Sequence, residues 1–251
     1  MLSVVYPKEQ SWGPVLFLVL ISDIDNGISS KTASFADDTR ISRPIKNIAD
    51  TIALQNDLET VYNWQRENNM LFNDEKFELL RYGKNVEIKS QTTYSGPTGT
   101  IIQEKSSIRD LGVTMSNSLR FNDHLDKVCS VVKNHCGWIY RTFKSRNECL
   151  MKSLWNSLIQ PRIDYCSQLW GPTTIGNIQR LEALFRSYTN RIPSKKHLNY
   201  WDRLRSLHMY SQERRHDRYK IIYIWKVLEN MVHNFGITVH NSPRHGRICK
   251  I

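Results

Sequence analysis

The chain has 251 residues, of which 40% are hydrophobic, and its 35 Lys and Arg outnumber 24 Asp and Glu to give a formal net charge of +11. That composition is ordinary for a folded protein with one or two cored domains and argues against a disordered chain. The charge is uneven: residues 1–100 hold 10 basic and 13 acidic side chains and residues 101–251 hold 25 and 11, so the first part carries −3 and the rest +14. A basic half of that size attracts polyanions, because each neutralised phosphate releases counterions, although a solvated surface fits the charge equally well.

In chain order, Pro14 sits where a first helical turn tolerates proline, and "PVLFLVLISDID" then runs apolar almost all round before turning acidic. That describes a buried core helix. The run "VLFLVLI" is too short to cross a bilayer, and "SDID" stands where a signal peptide would need small cleavage-site residues. No other segment suggests a membrane. Next, "TASF" and "TRIS" flank Ala36-Asp37-Asp38 with β-formers around turn residues, which predicts a tight hairpin.

From Asn47 to Asn69 the pattern is helical, with Ile48, Ile52, Leu58, Val61 and Trp64 largely at three- and four-residue steps and Trp64 as a core anchor. "KFELL" and "VEIKS" read as short strands, followed by the loop "YSGPTGT" and strand signals in "TIIQ" and "IRDLGVTM". Beyond Leu119 only helices are expected. Leu125, Val128, Val132, Cys136, Ile139 and Phe143 mark one of about six turns capped at Asn122. A second runs from Asn147 to a stop near Pro161, a third spans Ile175 to Tyr188, a fourth covers residues 210–232, and the tail from Asn234 frays.

Cys129, Cys136, Cys149, Cys166 and Cys249 form no CxxC and no regular spacing. They read as reduced thiols of an intracellular protein, cytoplasmic or nuclear and not secreted, and no zinc-finger spacing accompanies them.

Adjacent carboxylates such as Asp37 and Asp38 are common in solvated turns. As a metal site they are incomplete, because side chains alternate along a strand and a two-metal centre draws carboxylates from more than one segment.

The stretch "SFADDT" resembles the F/Y-A-D-D signature of reverse transcriptases, and its company is similar to the jockey-like non-LTR retrotransposons. "PKEQSWGPVLFLVLISDID" resembles that family's "PQGSVLGPLLFLIYINDL" segment. "LQNDLETVYNWQRENNMLFNDEKFELL" resembles the block after the hairpin, matching Leu54, Gln55, Asp57, Leu58, Trp64, Asn69, Met70, Phe72, Asn73, Lys76 and Glu78. "IRDLGVTMSNSLRFNDHL", "QPRIDYCSQLWGP" and "LHMYSQERRHDRYKI" match later stretches, so the resemblance covers nearly the whole chain in order.

The resemblance implies an RNA-directed DNA polymerase that uses Mg2+ to extend a DNA primer on an RNA template. The implied fold is α+β: a partial palm of antiparallel strands and helices over residues 1–115, an all-α thumb-like region over 116–190, and a basic helical region over 191–251. It implies that Asp37 and its neighbour Asp38 hold metal, that Lys76 meets the departing pyrophosphate, and that Phe35 and Ala36 shape the hairpin beside the primer. Leu111 and Gly112 fall on the primer-grip turn.

The family's first metal-binding aspartate lies upstream of the "PQGS" segment, near which this sequence begins, and "PQGSVLGP" is eroded here to "PKEQSWGP". There is no endonuclease domain in these residues. The expectation is therefore weak metal binding and no unaided primer extension. A non-catalytic nucleic-acid-binding remnant is the alternative, resting on the +14 balance and on Trp138, Tyr140, Trp155, Trp170, Trp201 and Trp225 among the basic residues.

Overall fold

The structure is a computed structural model that describes residues 12–83 and 92–232. The expected strand "VEIKS" and the tail from Asn234 lie outside the described residues. The fold is mixed α+β and divides into two units, Met1–Arg120 and Phe121–Ile251.

The first unit opens with α1 (Gly13–Leu20), which has Pro14 in its first turn. The helix forms as expected, but its burial does not. No α1 residue is buried; Leu16 is 63% and Val19 65% exposed, and only Phe17 packs inward, beside Ile21, Ile24 and Trp64. The core begins at Ile21, the last residue of the apolar run, so among the described residues a single row of α1 has a partner.

Strands β1 (Lys31–Phe35) and β2 (Asp38–Ser42) then pair antiparallel, from Lys31↔Ser42 to Phe35↔Asp38. Helix α2 (Ile48–Glu67) starts on a reciprocal capping box in which Asp50 N–H donates to Asn47 Oδ1 at 3.0 Å and Asn47 N–H donates to Asp50 Oδ2 at 3.3 Å. Its buried face runs through Thr51, Asp57, Leu58, Val61, Tyr62 and Trp64. Ile48 and Ile52 are exposed although Thr51 between them is buried, so this apolar pair lies off the buried face of α2.

A 3-10 turn (Asp74–Lys76) leads to β3 (Glu78–Leu79), which pairs in parallel with β4 (Gln103–Glu104). That pairing departs from the expected all-antiparallel arrangement. β5 (Ser107–Asp110) and β6 (Val113–Ser116) close a second antiparallel hairpin.

The second unit is helical among its described residues. In α3 (Asn122–Thr142), Leu125, Val128, Val132, Cys136 and Ile139 are buried at steps of three and four. Asn122 is not its cap: the cap position is Phe121, and Asn122 Oδ1 accepts from Asn177 Nδ2 at 2.9 Å.

Helix α4 (Glu148–Leu154) does not stop near Pro161 but runs through a π-helical stretch, Trp155–Ile159, into α5 (Gln160–Asp164). Within it the N–H of Gln160 reaches the carbonyl of Trp155, five residues back. The register has already shifted when Pro161 arrives, so its missing N–H breaks no regular ladder.

After the short α6 (Ser167–Trp170) come α7 (Ile175–Thr189), α8 (Tyr200–Ser206) and α9 (Gln212–Leu228). Trp155 is fully buried, with its ring 4.5 Å from that of Phe185 and 4.8 Å from that of Tyr188. A ring this enclosed stabilises the fold by about 1.5–3 kcal/mol. Among the described residues no helix is long and apolar enough to cross a membrane.

Candidate active site at the Asp37 hairpin

Phe35 and Asp38 face each other across the end of the first hairpin, leaving Ala36 and Asp37 as a two-residue turn. Ala36 takes φ 52°, while Asp37 is not in the left-handed region, the pattern of a turn whose first central residue is normally glycine. A side chain at that φ is strained by about 1 kcal/mol. Asp37, at the corner, and Asp38, starting β2, are both exposed, and Phe35 is 67% exposed beside them.

The base of this hairpin is held by a buried carboxylate. Asp57 of α2 accepts from the N–H of Ser29 at 2.8 Å and of Ser30 at 2.9 Å, and from both serine hydroxyls. Arg43, which follows β2, donates to Ser29 Oγ at 2.7 Å and lies 3.6 Å from Asp57 and 3.8 Å from Asp50. Both ends of the hairpin are thus anchored on α2. Burial alone would raise the Asp57 carboxyl, but the bonds from Ser30 and Ser29 outweigh it and hold it below its ordinary value.

The other hairpin is joined to this one directly. Arg40 of β2 lies 2.7 Å from Asp110, the last residue of β5. Asp110 pairs with Val113, so Leu111 (φ 44°) and Gly112 (φ 85°) form a two-residue turn with both central residues left-handed. Glycine suits the second position, whereas Leu111 is strained. Tyr82 sits beside the ion pair; burial is the main reason its phenol is pushed up, with Arg40 opposing and Asp110 adding.

Lys76 is exposed at the end of the 3-10 turn. Its neighbours are anchored on α2: Tyr62 donates its hydroxyl to Asp74 at 3.2 Å and stacks on Phe77 at 5.2 Å. Burial, then Asp74, pushes the Tyr62 phenol up to about 12. No hydrogen bond or ion pair joins Lys76 to Asp37 or Asp38 among the described residues.

The described residues gather no complete magnesium site. Among the described residues no three His, Cys, Asp or Glu side chains gather where they could hold a metal ion. Asp23 accepts from Trp64 Nε1 at 2.7 Å and Asp25 from the Thr32 hydroxyl at 3.2 Å, so both serve the fold. Two exposed carboxylates at one corner fall short of what paired cations about 3.5–4 Å apart require.

Sequence reasoning brought together Phe35 through Asp38 and, separately, Leu111 and Gly112. It assigned no role to Asp57, Arg43, Arg40 or Asp110, whose partners lie far away in sequence. Asp57 carried the one available signal, a charged residue on the buried stripe of an amphipathic helix.

No family model matches the chain, and no solved structure matches it. An uncharacterized protein of Caenorhabditis elegans is 26% identical over 102 residues, covering 39% of this chain and 52% of that protein. The chain thus spans about half the length of the curated relative it matches.

Proposed function

We propose that the chain derives from the reverse transcriptase of a non-LTR retrotransposon. Met1–Arg120 carries the later part of a polymerase palm, and Phe121–Ile251 a thumb-like and basic helical region. The observation that carries this reading is the Arg40–Asp110 ion pair, which ties the corner bearing Asp37 to the Leu111–Gly112 turn. Those are the two elements that the F-A-D-D and primer-grip resemblances name. In a polymerase such coupling fixes the catalytic acid relative to the strand that holds the primer.

Unaided catalysis is not part of the reading. Asp37 and Asp38 supply part of a two-metal site, and a further carboxylate must come from elsewhere. The test is a chimera in which the fingers and first aspartate of an active non-LTR reverse transcriptase precede residue 12. It should extend a DNA primer on RNA with Mg2+ and lose that activity on Asp37→Asn. The chain alone should incorporate nothing. A folded chimera that extends no primer, or one indifferent to Asp37→Asn, counts against the ancestry.

A second reading, a non-catalytic nucleic-acid binder, is favoured by charge. Residues 121–232 hold 19 Lys and Arg against 9 Asp and Glu. Such a binder would keep its affinity after Asp37→Asn.

A further inference from the structure

Several arginines of the second unit lie over tyrosine rings, and two of them plainly serve the fold. Arg203, over Tyr200, is buried and donates to Thr189 at 3.2 Å, Asn190 at 3.0 Å and the Leu198 carbonyl at 3.3 Å. Arg215, beside Tyr219, is bonded to Asp164 at 2.7 Å.

Tyr140, in the last turn of α3, has two guanidiniums over its ring, as Tyr200 has with Arg186 and Arg203, but Tyr200 is bonded to the Glu182 carboxylate and, among the described residues, neither arginine over Tyr140 meets an acid. Arg146, from the connection to α4, is 5.3 Å from the centroid, and Arg191, just past α7, is 4.5 Å from it. Tyr188 stacks on the same ring at 5.8 Å. No carboxylate neutralises either arginine: among the described residues neither takes part in an ion pair. Glu148, two residues from Arg146, is committed to Lys195 at 3.2 Å. Asp126 is likewise held by Arg180, Asp164 by Arg215, and Asp202 by Arg205.

Two like charges gathered on one ring without an acid repel, and stacking on the electron-rich face of Tyr140 offsets this. The stack also orders the planar donor forks before a ligand arrives. The connection from Phe143 to Asn147 is extended at both ends, and it carries Lys144 two residues before Arg146. Lys144 thus adds a further positive charge to the same short connection. Trp138, 46% exposed, packs perpendicular to Phe143 with ring centroids 6.0 Å apart and leaves indole surface open to solvent next to the same connection. A nucleobase can stack on that indole while the neighbouring phosphates meet the guanidiniums.

We infer that the corner of Tyr140, Arg146 and Arg191, with Lys144 and Trp138 beside it, binds the phosphodiester backbone of nucleic acid. The guanidiniums take phosphates and Trp138 takes a base. This rests on the nucleic-acid reading of the chain and names the place where it acts.

The experiment is fluorescence anisotropy of a labelled single-stranded RNA oligonucleotide titrated with the full chain over a range of salt. Arg146→Gln with Arg191→Gln should weaken binding roughly tenfold at moderate salt and reduce the slope of log affinity against log salt by about 1.4. Changing both to Lys should keep the slope while losing part of the affinity, which separates lost charge from lost folding. Trp138→Ala should weaken binding by about fivefold or more. Arg205→Gln, which removes one charge from a side chain 85% exposed beside Asp202, is the control for charge lost elsewhere on the surface and should change little.

The site is overturned if the double Gln variant binds like the parent, or if Arg205→Gln loses as much. Competition by polyglutamate as effective as that by unlabelled RNA would make the ligand an acidic protein instead. Displacement by inorganic phosphate at equal charge would reduce it to a small-anion site. If the parent chain binds no oligonucleotide even at low salt, the nucleic-acid reading falls together with the site; an unaffected double variant removes the site alone.

Discussion

Arg40 and Asp110, seventy residues apart, meet at 2.7 Å and bind the hairpin that ends in Asp37 to the hairpin that turns at Leu111 and Gly112. Because Arg40 is largely exposed, the pair is weak as a source of stability and matters mainly as a register between two turns. A double-mutant cycle of Arg40→Ala and Asp110→Ala, read by chemical denaturation, should give a coupling of about 0.5–1 kcal/mol. High salt should shrink it.

Asp57 is the costlier residue to change. Asp57→Ala leaves two serine N–H groups, two hydroxyls and Arg43 without their shared acceptor, and should destabilise the first unit by about 3 kcal/mol. The sign with pH follows from the lowered folded-state value. Its contribution is fully present above the ordinary aspartate value near 4 and is lost as pH falls through the lower folded value. Denaturation midpoints measured on acidification should fall more steeply for the parent than for Asp57→Asn.

Turn strain gives a test with opposite signs at two positions. Ala36→Gly relieves a left-handed alanine and should stabilise the first unit by about 0.5–1 kcal/mol. Gly112→Ala imposes the same strain and should cost about 1 kcal/mol. Thermal melts of the two variants should move in opposite directions.

His216 in α9 is buried, edge-on to Trp170 at 5.7 Å, and its Nε2 has no hydrogen-bond partner. Burial holds its imidazole below the ordinary value, with Asp164 partly opposing. The unfolded chain therefore takes up the proton first. The stability this confers is complete above about pH 6.5 and drains away as pH falls toward the folded value. Melting temperature followed from pH 8 to 5 should drop in the parent and flatten in His216→Gln.

Glu182 of α7 shows how the helical unit spends a buried charge. It accepts from the Tyr200 hydroxyl and, at 2.9 Å, from the N–H of Gln212 at the start of α9, where a negative charge is favoured. Glu182→Ala should destabilise the unit by about 3 kcal/mol, whereas Tyr200→Phe, which removes only one donor, should cost about 1 kcal/mol. Denaturant titrations of both variants check the ratio.

The hairpin around Asp37 and the helix from Leu125 to Ile139 could be read from local pattern, since turn residues between β-formers and three-to-four spacing both act within a few neighbours. The clamp of Asp57 on Ser29, Ser30 and Arg43 could not, because it joins segments whose proximity only the fold creates. The helix through Pro161 escaped for a different reason: a π-helical turn shifts the register at Trp155, and composition gives no sign of it. For α1 the apolar run announced a helix that wants cover, but apolarity carries no information about whether a partner surface arrives.

That bare flank of α1 has a practical consequence. Val15, Leu16, Leu18 and Val19 stand in water on a folded helix, so the native protein should make the dye ANS fluoresce before any heating. A dye-based melt would then start from a high baseline and mistake stickiness for unfolding, and Leu16→Lys with Val19→Lys should quench that baseline without moving the transition.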